Sequence, residues 1–262
     1  MSSSVHNAIS RDELEHWLDT TLQATRFRDY APNGLQVEGT RHIRHIVTGV
    51  TASQALIQAA IERGADTLLV HHGWFWKNEN PCVRGPKRQR MALMLANNLN
   101  LFGYHLPLDA HPELGNNAQL ARILGFTPDR DDDGQPLTCG PDGLVWLGRC
   151  APQSLQELES HVFKQLRREP LTVGNAQQTV ERVAWCTGGA QGMMQAAIDQ
   201  NVDAYITGEA SEQNFHQAHE TGTAFIAAGH HATERYGVKA LGEAIQARFG
   251  IQVDFIDLDN PI

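Results

Sequence analysis

The sequence predicts an α/β protein built from two similar α/β lobes, each with a mostly parallel sheet, facing a shared cleft. Two observations carry this expectation. Short apolar runs alternate with helix-patterned segments along the chain, an order that places helices between parallel strands. The order also repeats. Thr48-Gly49, Gln58-Ala59-Ala60-Ile61 and Ala65-Asp66-Thr67-Leu68-Leu69 return as Thr187-Gly188, Gln195-Ala196-Ala197-Ile198 and Val202-Asp203-Ala204-Tyr205-Ile206, with the second connection two residues shorter. Further on, Tyr104-His105 through Asp109 to Gly125 resembles Gly229-His230 through Glu234 to Gly250, which sets His105 on His230 and Asp109 on Glu234. Such self-similarity marks a repeated unit, although short β-α units also share patterns without common origin.

Residues 10–21 open with a capping serine, carry Glu13 as its capping-box partner and continue with Leu14, Trp17, Leu18 and Leu22 at helical spacing. Ala31-Pro32-Asn33-Gly34 is a turn. Residues 43–50 read as a strand and 52–63 as a helix that stops near Gly64. Thr67-Leu68-Leu69-Val70, bounded by Gly64 and His71-His72-Gly73, reads as a buried parallel strand. A helix over 89–98, a strand over 101–106 with the apolar run continuing to Leu108, and a helix over 117–124 ending at Gly125 follow. Residues 127–143 are rich in Asp, Gly and Pro and read as an exposed linker, so the predicted lobes are 1–126 and 127–262. Asp131-Asp132-Asp133-Gly134 inside the linker is a solvated loop, because the glycine and distal glutamate of a calcium loop are out of register.

With 262 residues and 41% hydrophobic content the chain can bury a sizeable core. Its 21 basic and 30 acidic residues give a net charge of -9, which disfavours strong nucleic-acid binding. A small anionic substrate stays open, since bound metal ions add positive charge that composition does not count. The first twelve residues lack a signal-peptide pattern and no apolar run is long enough for a membrane span, so the expected location is the cytoplasm. Cys82, Cys139, Cys150 and Cys186 are scattered and form no C-x-x-C pair, as expected of reduced thiols in apolar settings.

The chemistry concentrates at predicted strand ends. His71 and His72 close an apolar strand and run into Gly73; neighbouring side chains on a strand diverge, so the pair can reach two ions where the strand ends. The alternative is a pair of surface or core histidines. Asp109 closes the next apolar run and can bridge two cations with its two oxygens, although alone it would be a turn or cap residue. His230 and Glu234 follow the apolar strand 224–228 at the start of a helix. Four residues apart, they share one helix face with Cβ atoms about 5–6 Å apart, while His231 points elsewhere. Three histidines and two carboxylates make the parts of a hydrolytic dinuclear site. They suit two divalent transition-metal ions, Zn, Fe, Mn, Co or Ni, without distinguishing among them. Three ligands come from the first predicted lobe and two from the second, so the expected site lies between lobes. Trp74, Phe75 and Trp76 follow His72 and offer either a base-stacking surface or packing.

Val70-His71-His72-Gly73, Leu108-Asp109, Ile206-Thr207-Gly208-Glu209 and Gly229-His230-His231-Ala232-Thr233-Glu234 together resemble the motifs of the YbgI-like, or NGG-interacting-factor-like, family, often labelled GTP cyclohydrolase type 2. The resemblance runs over about residues 10–258. It implies a two-lobed α/β fold, a dinuclear metal centre on His71, His72, Asp109, His230 and Glu234, a nucleotide-like small-molecule substrate, and a ring-shaped homohexamer. The implied activity is hydrolytic opening of the guanine imidazole ring with loss of formate; phosphoester hydrolysis and a non-catalytic metal-binding scaffold are the alternatives. Glu209, which falls on His72 in the repeat, is the candidate proton shuttle. His105 is the candidate for a substrate contact or a hydrogen-bond donor behind the ligands.

Overall fold

The computed structural model describes residues 7–262; residues 1–6, part of the segment read above for a signal peptide, lie outside the described residues. The chain begins with β1 (Ile9–Ser10), α1 (Arg11–Leu22), β2 (Gly34–Val37), β3 (His42–Ile43), β4 (His45–Thr51), α2 (Gln54–Glu62) and β5 (Thr67–His72). It continues through α3 (Gly85–Ala96), β6 (Asn100–Gly103), α4 (Leu106–Ala110), α5 (Asn116–Leu124), β7 (Thr127–Pro128), β8 (Thr138–Cys139), β9 (Val145–Ser154) and α6 (Leu155–Leu166). The remainder is β10 (Leu171–Val173), β11 (Thr179–Trp185), α7 (Met194–Ile198), β12 (Ala204–Thr207), α8 (Glu212–Thr221), β13 (Ala224–Ala227), α9 (His230–Phe249) and β14 (Gln252–Phe255).

Two compact units result, Met1–Leu108 with Val238–Leu258, and Asp109–Gly237 with Asp259–Ile262. The predicted boundary at 126/127 gives way to one at Leu108/Asp109 because α5 belongs to the second unit's core. Its Leu120, Ala121 and Leu124 cluster with Trp146, Leu158 and Trp185. The helix that begins at His230 likewise starts in the second unit and ends in the first, leading into β14.

In the first unit the sheet order is β14-β4-β5-β6-β2, parallel throughout except for β2. The central strands β4 and β5 are buried almost end to end, which explains their continuous apolar runs. Val47, Leu56, Ile57, Leu68, Val70 and Leu101 pack in one core cluster. At the N-terminus of α1, the Ser10 side chain accepts the N–H of Glu13, and Leu14, Leu18 and Leu22 form the buried stripe.

The second unit holds a sheet of seven strands among the described residues, in the order β10-β13-β12-β11-β9-β7 with β8 on β9. Only β11, β12 and β13 run parallel; β7, β8, β9 and β10 pair antiparallel. The parallel core matches the prediction, and the antiparallel wings come from the segment between the repeats. Residues 127–143, read as a linker, contribute β7 and β8 to this sheet.

Main-chain pairing supplies a register for the repeat that residue identity misread. Ile46 pairs with Thr67 and Val183 with Ala204, so one spacing of 137 residues relates both strands and also Gln58 to Gln195. Thr48-Gly49 therefore corresponds to Trp185-Cys186 rather than to Thr187-Gly188, and the connection is not shortened. The repeated aspartate has one role in both copies. Asp66 Oδ2 accepts the N–H groups of Arg44 and His45 at 2.8 and 3.4 Å, and Asp203 Oδ2 accepts those of Glu181 and Arg182 at 2.9 and 2.8 Å. In the next strand Val70 pairs with Gly103 and Thr207 with Ala227, which sets His105 on Gly229, one residue before His230.

Candidate metal centre

Three imidazoles gather in the first unit. His71 and His72 are the last residues of β5 itself, with His72 still paired to Thr51, and His105 stands just after β6. Ring centroids are 4.5 Å apart for His71–His72, 5.1 Å for His71–His105 and 5.8 Å for His72–His105. Each ring has its Nδ1 engaged by oxygen: His71 with the Tyr104 carbonyl at 3.0 Å, His72 with Thr51 Oγ1 at 3.3 Å and His105 with Asp29 Oδ1 at 2.7 Å. Such bonds orient the rings and leave Nε2 as the ligating nitrogen. One ligand atom from each ring lies within 4.8 Å of the others, a spacing that fits a metal ion, so His105 joins the two predicted ligands as a metal-capable group.

Asp29 organises this corner. Its carboxylate accepts from the His105 ring, the Leu106 N–H and the Asn33 amide, at 2.7, 2.9 and 2.9 Å, and Oδ1 also accepts the Tyr30 N–H at 2.6 Å. Burial pushes the Asp29 carboxyl up, but the hydrogen bond and charge of His105, with Asn33 and Leu106, outweigh it and hold the group at about 2. Of the aromatic run, Trp76 lies 5.0 Å from the His105 ring and 6.0 Å from His72. Trp74 is buried and donates its indole N–H to the Ala52 carbonyl, a packing role. Phe75, at φ 67°, turns the chain between them.

In the second unit, Asp109 sits in the short helix α4 instead of closing a strand, because β6 stops at Gly103 and the chain turns helical at Leu106. Asp109 is buried, and its Oδ1 accepts from the Asn116 amide at 2.8 Å and the Thr187 hydroxyl at 3.3 Å. His230 is the first residue of α9. Its Nδ1 lies 2.7 Å from Glu209 Oε1 and its Nε2 3.1 Å from Glu234 Oε2. Burial lowers the His230 pKa, but Glu234 and then Glu209 outweigh that and raise it to about 9, so the same two carboxylates favour positive charge at this point. The Glu234 side chain is only 3% exposed. Gly188, at φ 66°, gives it room, since a Cβ there would overlap the Glu234 carboxylate. His231 is buried, and its backbone N–H donates to the Ile262 carbonyl at 2.9 Å. Burial, then the charges of Asp109 and Glu234, push the Cys186 thiol well up, which keeps it a protonated neighbour.

These donors fit divalent transition metals: imidazoles with oriented Nδ1 groups, and a buried Asp109 carboxylate tied by hydroxyl and amide donors. The sequence reading missed Asp29, Asn33, Asn116, Thr187 and Gly188. Asn33 lies within the Ala31-Pro32-Asn33-Gly34 turn, Asp29 two residues before it, and nothing local marks either as a partner of residue 105.

No helix among the described residues is long and apolar enough to cross a membrane. Two curated bacterial relatives, from Pseudomonas aeruginosa and Escherichia coli, are each named "GTP cyclohydrolase 1 type 2 homolog". They are 55% identical over 256 residues, covering 97% of this chain and 99% of the relative, and 51% over 250, covering 95% and 98%. Among solved structures, protein ybgI, titled as of unknown function, superposes with a TM-score of 0.91 at 50% identity, covering 97% of this chain and all of that one. TTHA1606 from Thermus thermophilus gives 0.85 at 34% identity, again over 97% and 100%. Residues 9–261 match the family described as Duf34/NIF3 (NGG1p interacting factor 3), and the chain belongs to that family.

Proposed function

We propose that this chain is a dinuclear metal-dependent hydrolase that opens the imidazole ring of a purine nucleotide of the GTP type, with release of formate. His71, His72, Asp109, His230 and Glu234 are the proposed ligands of two divalent transition-metal ions. The observation that carries the reading is the orientation of the donors: each imidazole has its Nδ1 held by an oxygen, with a carboxylate behind His230 and His105. The names of the relatives support the choice of substrate. When bound, two such ions acidify water and polarise the substrate.

The chain's own groups handle the protons. Glu209 steadies His230 through Oε1 and presents Oε2, bonded to the Gln191 amide at 3.3 Å, as the proton acceptor. His105, its ring fixed by Asp29 through Nδ1, is a contact for the substrate. The homohexamer implied by the family resemblance is part of the same proposal.

The test combines metal analysis with product analysis. Purified protein is expected to carry about two transition-metal ions per chain, and His71→Ala with His72→Ala to remove them. Full metal retention in the double variant would overturn the ligand assignment. Metal-replete protein incubated with GTP and a panel of nucleotides and phosphoesters is expected to release formate. Free phosphate instead would mark a phosphoesterase, and no turnover of any compound would mark a binding protein.

A further inference from the structure

The first unit holds a cavity of about 350 Å³, lined by Trp74, Glu79, Asn80, Arg84, Lys87 and Arg90 among others. Its charges do not cancel. Glu79 is taken by Lys87, at 3.3 Å, and Lys87 is fixed further by the Asn80 carbonyl at 3.2 Å and the Phe75 ring 5.5 Å away. Arg84 and Arg90 have no acidic partner among the described residues. Arg90 Nε is withdrawn from solvent and has no hydrogen-bond acceptor. In a chain of net charge -9, two uncompensated guanidinium groups around one cavity are a local departure from the composition. Arg84 and Arg90 both line the cavity, and a phosphate group in it would offer acceptors to their guanidinium N–H groups.

We propose that this cavity binds phosphate groups, with Arg84 and Arg90 as the ligating side chains. The planar guanidinium fork matches paired phosphate oxygens. As a substrate subsite this rests on the proposed nucleotide chemistry: the cavity takes the polyphosphate tail. The cavity and the metal-capable cluster are linked by one short stretch of chain. Trp74 lines the cavity and, two residues on, Trp76 lies against His72 and His105, with Phe75 turning the chain between them.

The test is calorimetric titration of metal-replete protein with inorganic triphosphate, GTP and guanosine. Arg84→Ala with Arg90→Ala is expected to weaken triphosphate and GTP by about tenfold or more while leaving guanosine binding and metal content unchanged. Because metals also attract phosphate, the same titration is made in the His71→Ala/His72→Ala protein, where residual triphosphate binding should disappear on adding Arg90→Gln. Unchanged triphosphate affinity in the arginine variants, or none in the wild type, would overturn the site. Affinity for triphosphate without affinity for GTP would overturn its role as a nucleotide subsite. The two proposals fail separately: intact triphosphate binding without turnover removes the hydrolase alone, and turnover with unchanged KM in the arginine variants removes the cavity alone.

Discussion

Asp29 shows how one side chain sets the geometry of a site it does not belong to by sequence. Its 3% exposed carboxylate holds the His105 ring and three further N–H donors. The carboxyl is depressed from 3.8 to about 2, so its contribution is fully present above the unfolded value and is lost as pH falls through about 2. That shift corresponds to about 2 kcal/mol. Urea titrations should therefore show the wild type losing about that much stability between pH 4 and pH 2 through this group, and Asp29→Asn losing correspondingly less; identical acid profiles would remove the assignment. Gly188 is the second such residue. Gly188→Ala should displace the Glu234 carboxylate and lower metal content, whereas at Gly189 a Cβ would meet its nearest neighbour at an ordinary 3.6 Å, so Gly189→Ala should retain metal. Metal analysis of the two variants decides it. His71, His72, His230 and Glu234 were legible as candidates because their chemistry is visible within a few residues. Asp29 was not, since its partner is 76 residues away.

At the scale of elements, the strand-helix-strand units were readable from periodicity, and their true correspondence was not. Asp66 and Asp203 show why. Each clamps two successive main-chain N–H groups in or next to the preceding strand, so the aspartate, not the Thr-Gly dipeptide, marks the register. Asp203→Ala should cost about 1–3 kcal/mol in denaturant unfolding, and Asp66→Ala a similar amount, because both leave strand N–H groups without their acceptor. A loss below about 0.5 kcal/mol in both would show that water replaces the clamp. Asp109 teaches the complementary lesson. An apolar run from 101 to 108 reads as one strand, but the chain turns helical at Leu106, where Asp29 caps its N–H. That cap is a tertiary contact, invisible to a pattern of period two.

For the whole molecule, a bound metal stabilises the folded state by mass action, since the unfolded chain lacks an assembled donor set. Chelation of the metal-replete protein should lower its melting temperature, and His71→Ala/His72→Ala should remove the response; an equal shift in both proteins would place the stabilising ion elsewhere. The sequence carried the α/β class, the family and the candidate metal-binding residue types, because alternating apolar runs and short histidine-carboxylate motifs are properties of contiguous residues. Only the folded chain decided that α5 and Asp109 belong with the second unit, and that the wings of its sheet run antiparallel. Only the folded chain brought Asp29 to His105, Glu209 to His230, and Asn116 and Thr187 to Asp109. The reason is physical: a buried polar group must find its hydrogen-bond partner wherever packing brings one, and packing depends on cores assembled from distant segments.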